Sequence, residues 1–156
     1  MSDQNLSSAN GRLSASDRLT ALLYRSRTDL TRSVFAASGA PEEFARANDA
    51  CGLTGYLHLE DGQFFQRLEG PLKEIEPLWG RIRHDTRHFD VTLIEYRPIP
   101  ARSFQGWGLG YDCSADGQSL FDWAARSGLS LKGPSYGQVV TAFLEYSSGS
   151  RLRRAV

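Results

Sequence analysis

Cysteine is scarce in this sequence. Only Cys51 and Cys113 occur in 156 residues, too few for a disulfide framework, so a reducing, cytoplasmic setting is expected. No apolar run approaches the roughly 20 residues that a membrane span needs. The first eighteen residues lack the apolar stretch of a secretory signal. Net charge is missing too: 18 basic and 18 acidic residues cancel, which argues against a general binder of nucleic acid or of an anionic membrane. There is no internal repeat, and the glycines form neither a phosphate loop nor a dinucleotide fingerprint. What is present is 40% hydrophobic and 23% charged, the profile of one globular domain. A chain of this size buries roughly two-thirds of its unfolded surface.

Residues 1–18 are polar and predict a loose N-terminal tail. Leu19–Arg27, with Leu22, Leu23 and Tyr24, suits a strand. Pro41, Glu42 and Glu43 open a helix after a Thr/Asp/Ser-rich stretch, and Gly52 stops it. Its face carries Phe44, Ala47, Asn48 and Cys51. Residues 53–60 alternate, with Leu53, Gly55, Leu57 and Leu59 opposite Thr54, Tyr56 and His58. Asp61-Gly62 is a hairpin signal. The partner strand puts Phe64, Gln66 and Leu68 on one face and Phe65, Arg67 and Glu69 on the other. Leu72, Ile75, Leu78, Trp79 and Ile82 then recur at helical spacing, with Pro77 marking either a kink or the true start. Phe89–Tyr96 and Trp107–Cys113 read as a fourth and a fifth strand.

The order βαββαβ(β) predicts an α+β, ferredoxin-like sheet with two helices on one face. Leu120, Phe121, Trp123 and Ala124, then Val139, Val140, Phe143 and Leu144, predict two short amphipathic helices over the other face. Arg151–Arg154 reads as a basic frayed tail, with anion binding as the alternative.

Two amides stand where apolar residues are expected: Gln66 beside Phe64 and Leu68, and Asn48 beside Phe44 and Cys51. A buried amide without partners costs about 1–3 kcal/mol. Each therefore either ties down nearby backbone or meets a polar ligand. Tyr24 shares a strand face with Leu22, and a buried phenol also needs a partner. Arg81 and Asp85, four apart on the second helix, fit a surface ion pair. His84 and His88 have metal-compatible spacing without an evident third ligand, so no metal is expected. Neither Cys51 nor Ser26 has an identifiable base. From the residues alone, the reading ends at a polar ligand site between the two helices and the sheet.

The stretch LTGYLHLEDGQFFQRLEGP (53–71), followed by RIRHDTRH (81–88) and FQGWGLGY (104–111), resembles the BLUF family of flavin-binding blue-light sensors. The resemblance runs from about Leu19 to Cys113, which divides the chain into a tail (1–18), a flavin-binding domain (19–113) and a C-terminal helical extension (114–156). It implies FAD as cofactor, with FMN as the other option, held between two helices above the sheet. Tyr24 matches the tyrosine that gives an electron to the excited flavin, and Gln66 the glutamine bridging that phenol and the ring. Asn48 matches the asparagine that binds the ring's polar edge. Arg81 and Asp85 match residues near the ring and its side chain, and Arg87 and His88 match the family's RH pair. Trp107 matches the tryptophan that points either toward or away from the glutamine.

Two positions depart from the family pattern. Leu109 stands where Met is usual, and Ala47 where His or Asn is usual, which implies retained photochemistry with an altered lit-state lifetime. About 45 residues follow the matching region, too few for a typical catalytic output domain, so the expectation is a short stand-alone sensor. Such a sensor is not an enzyme; it would act through an unidentified protein partner or its own homo-oligomer, with the signal passing from Gln66 to Trp107, Leu109 and the C-terminal helices. The competing readings are a light-insensitive interaction module and a small ferredoxin-like enzyme.

Overall fold

The computed structural model of the chain describes residues 14–105, 109–112 and 118–155, with side chains for all of these except 109–112 and 150–155. Five strands form one sheet: β1 (Leu19–Arg27), β2 (Thr54–Glu60), β3 (Gln63–Pro71), β4 (Phe89–Pro98) and β5 (Leu109–Asp112). Their order is β4-β1-β3-β2-β5, with β5 parallel to β2 and every other pair antiparallel. The first four strands thus have the expected ferredoxin-like arrangement. Five helices accompany them: α1 (Arg32–Ala37), α2 (Ala40–Ala50), α3 (Leu72–His84), α4 (Leu120–Arg126) and α5 (Tyr136–Ala155).

Strands β2 and β3 meet in a two-residue turn in which Asp61 and Gly62 have φ of 48° and 72°. Positive φ at both positions gives the turn whose twist matches the flanking strands. Gly55 is required by proximity: a Cβ there would lie 2.1 Å from the Arg67 carbonyl oxygen. The alternation read from the sequence is realised. Leu22, Leu57, Leu59, Phe64 and Leu68 pack with Phe35 and Ile75 in one core, beneath α1, α2 and α3. Leu23, Tyr56 and Phe65 join Leu120, Val140, Phe143 and Leu144 in a second core, beneath α4 and α5. A sheet covered on both faces buries both sides of its central strands, so β2 and most of β3 are buried along their length.

Several expectations are corrected. Helix α1 falls in the Thr/Asp/Ser-rich stretch read as a connection; Thr31 caps it by accepting from the Val34 amide at 3.2 Å, and Phe35 anchors it in the first core. Helix α3 starts at Leu72 and runs through Pro77. Strand β4 continues to Pro98, and α5 carries the helix through Arg151–Arg154 to Ala155, where a frayed tail was expected. Near the other end, Ala15–Asp17 forms a 3-10 turn, and Asp17 pairs with Lys73 at 2.7 Å. Among the described residues, no helix is long and apolar enough to cross a membrane.

Candidate functional site

A cavity of about 300 Å³ lies between α2, α3 and the sheet. That is the lower end of the range for small-molecule pockets. Phe35, Phe44, Leu53, Leu57, Phe64 and Leu78 supply apolar walls. Tyr24, Asn48, Gln66, Arg81, Asp85, Arg87 and His88 line the same space, so all seven cofactor-site residues named from the sequence come together.

The centre of the site follows from strand geometry. Tyr24 on β1 stands directly across from Gln66 on β3, and directly paired residues point to the same face. The Tyr24 hydroxyl donates a hydrogen bond to Gln66 Oε1, and both side chains are buried. Burial first, and the nearby Asp85 carboxylate second, push the Tyr24 phenol well above its ordinary value, so it stays neutral. With Oε1 engaged, the Gln66 amide nitrogen has no hydrogen-bond partner among the described residues. Asn48, on α2 and only 6% exposed, makes no side-chain hydrogen bond among them either. Two amides with unmet capacity, facing one largely apolar cavity, point to a ligand with both polar and apolar parts. The donor set fits a flavin, whose ring pairs an apolar end with an amide-like edge.

Around this centre the loop after α3 is more ordered than its composition suggests. The helix ends at His84, so Asp85 is its C-cap, not a residue on the helix. Its partner is Arg87, whose Nε lies 2.9 and 3.1 Å from the two carboxylate oxygens, and not Arg81 as the spacing predicted. The Arg87 guanidinium holds the Asp85 carboxyl below its usual range and also covers the Phe44 ring at 4.7 Å. Arg81 makes no ion pair among the described residues and faces the cavity with a free guanidinium. The His84/His88 spacing is not realised on a helix: His84 Nδ1 contacts the Gly80 carbonyl at 2.7 Å, and His88 Nε2 the Ile82 carbonyl at 2.6 Å.

A carbonyl can only accept, so His88 donates from Nε2 to Ile82, and its Nδ1 meets Ser26 Oγ at 2.7 Å. Ser26 therefore has an imidazole neighbour that the sequence did not reveal. It is 1% exposed and does not line the cavity, so the pair orients the His88 ring, which meets Tyr24 edge-on at 6.0 Å, and is no nucleophile. Burial and the Glu74 carboxylate push the Cys51 thiol up, which suppresses the thiolate a nucleophile would need. Phe35, Glu43 and Glu74 also line the cavity and were not singled out. For Phe35 the available signal was Thr31 as a cap followed by two apolar residues. Ala47 leaves a bare wall beside Asn48. Leu109 opens β5 opposite Gly55, while Trp107 and Cys113 lie outside the described residues.

Comparison with known proteins agrees with this geometry. Residues 19–110 match the family model described as sensors of blue-light using FAD. The chain is 36% identical over 86 residues to the beta subunit of a photoactivated adenylate cyclase from Euglena gracilis, covering 55% of this chain and 10% of that protein. It is 31% identical over 91 residues to the blue light- and temperature-regulated antirepressor BluF of Escherichia coli K12, covering 58% of this chain and 23% of the relative. The chain thus spans between a tenth and a quarter of these two relatives' length. Among solved structures, the dark state of the BLUF protein BlrB superposes with a TM-score of 0.64 at 27% identity, covering 87% of this chain and 98% of that one. The ordered sequence pattern, the sheet and the amide-lined cavity converge on one conclusion: this chain belongs to the BLUF family of flavin-binding blue-light sensors.

Proposed function

We propose that the chain senses blue light through an oxidised flavin held in the α2–α3 cavity, with Tyr24 and Gln66 as its photochemical pair. The observation that carries this reading is the buried hydrogen bond from the Tyr24 hydroxyl to Gln66 Oε1 beside the cavity. When bound, the flavin supplies blue absorption and an excited state that accepts an electron. The side chains do the rest. A neutral phenol is a poor electron donor unless its proton leaves as well, and burial keeps Tyr24 neutral. Gln66 Oε1 already accepts that proton's hydrogen bond, so the proton has a path into the carboxamide. When proton and electron return to Tyr24, no net oxidation remains in the chain. What persists is Gln66 in a changed orientation or tautomer. Asn48, on α2, would hold the ring's polar edge, and Arg81 with the Asp85–Arg87 pair would bind near its side chain. Leu109 and Trp107 would pass the change on.

FAD is taken as the ligand, and FMN is expected to bind comparably. Output through a protein partner or a second copy in a cytoplasmic setting completes the reading. The purified, flavin-loaded protein should be yellow, and blue light should move its absorption band reversibly to longer wavelength. Tyr24→Phe should keep the colour and lose the shift. A protein that takes up no flavin, or one that is yellow and inert to light, overturns the proposal.

A further inference from the structure

Neighbouring residues on β3 face opposite sides of the sheet, so the residue after Gln66 belongs to the other core. That residue is Arg67, a charged side chain only 3% exposed. Its Nε donates to Glu69 Oε2 at 3.1 Å, and one terminal nitrogen reaches both Glu95 Oε1 on β4 and Thr141 Oγ1 on α5, each at 3.2 Å. Glu69 is fully buried, and its other oxygen accepts the Ser103 and Phe104 backbone amides at 2.8 and 2.9 Å. Arg102 fastens the same segment, donating to the Thr54 hydroxyl and to the Glu69 and Gly52 carbonyls. Phe104 then stacks on Tyr56, whose hydroxyl meets Ser147 of α5 at 3.2 Å.

We infer that Arg67 and Glu69 are positioning residues that link the strand carrying Gln66 to α5 and to the segment leading into β5, making the reverse face of β3 a second route for the light signal. This rests on the proposed role of Gln66 and adds a path independent of Trp107 and Leu109. The physical reason lies in how the two kinds of contact respond to a small movement. Apolar side chains tolerate sub-ångström sliding, because their attraction is non-directional. A buried guanidinium cannot lose a partner without leaving a charged donor unsatisfied in a low-dielectric interior. When β3 adjusts to a reoriented Gln66, the groups bonded to Arg67 and Glu69 have to move with it. Contiguity alone does not establish coupling, so the test must read coupling directly.

Thr141→Val cuts the bond from Arg67 to α5 with almost no change in shape, while Thr141→Ser keeps the hydroxyl. Hydrogen exchange of residues 136–149 is compared between dark and illuminated flavin-loaded protein, with the absorption shift recorded on the same samples. Wild type should show the band shift together with a light-minus-dark exchange difference in α5. Thr141→Val should keep the full band shift and lose at least two-thirds of that difference, and Thr141→Ser should restore it. Arg67→Lys, which cannot span three acceptors, should behave like Thr141→Val if it folds. The inference is overturned if Thr141→Val speeds exchange equally in dark and light while the difference persists, which is what a purely structural role predicts. It is equally overturned if wild type shifts its band with no exchange difference in α5. Absence of the band shift in wild type would instead sink the underlying photochemical reading.

Discussion

Tyr24 illustrates how one buried hydroxyl couples chemistry to stability. Its phenol is held above the ordinary tyrosine value of about 10, mainly by burial and then by Asp85. The folded state therefore keeps a proton that the unfolded chain releases. This stabilisation is complete below about pH 10 and is lost as the pH rises further. The light-driven band shift should accordingly stay constant through pH 9, with thermal stability falling above pH 10, and Tyr24→Phe should remove much of that alkaline loss. A band shift that titrates away near pH 10 while the fold persists would contradict the neutral, buried phenol. Asn48 gives a second residue-scale test. Asn48→Ala removes one amide from the cavity wall, a loss of about 0.5–1.5 kcal/mol, or up to roughly tenfold in flavin affinity by titration. The amides themselves were legible in the sequence, because polar residues break an apolar pattern. The Ser26–His88 contact was not, since it joins residues 62 apart through the irregular loop after α3.

At the scale of elements, Glu60 at the end of β2 fixes the start of α4. Its carboxylate accepts the Leu120 amide at 2.7 Å, the Ser119 hydroxyl and His58 Nε2 at 2.9 Å. Burial alone would raise its pKa; the bonds from His58, Ser119 and Leu120 outweigh burial and hold it below the usual value. The stabilisation is present above the ordinary glutamate value of about 4.3 and is lost as pH falls through the depressed folded value. Acid should loosen α4 before the sheet melts. The near-ultraviolet signal of Trp123, which packs against Phe143 and Tyr146, should fade at a higher pH than the far-ultraviolet signal. Glu60→Gln should remove the offset; coincident transitions in the unsubstituted protein would refute the docking role. Strands were the most legible elements, because alternation survives even where both faces are buried. Helix α1 escaped notice because six residues rich in small side chains give no clear period. Helix α5 was underestimated because its apolar stripe ends at Leu144, before the helix does.

The whole molecule is a sheet serving two cores, one of which contains the ligand cavity. A ligand that binds only the folded state stabilises it by about 2.7 kcal/mol at a hundredfold excess over its dissociation constant. For a chain of this length that raises the melting temperature by on the order of 5–10 °C. FAD and FMN should give similar increments if the cavity binds the ring system they share; an increment with neither would argue against the site. The layered arrangement was readable from the order of the elements, whereas the polar contacts that tie the layers together were not, since each joins residues distant in the chain. The two-residue turn at Asp61-Gly62 sets the phase of β3 against β2, and with it which side of the sheet each β3 side chain occupies. A slip of one residue would deliver a guanidinium to the chromophore and bury a carboxamide under α5. The hairpin's tip is thus the component that decides whether this protein can respond to colour at all.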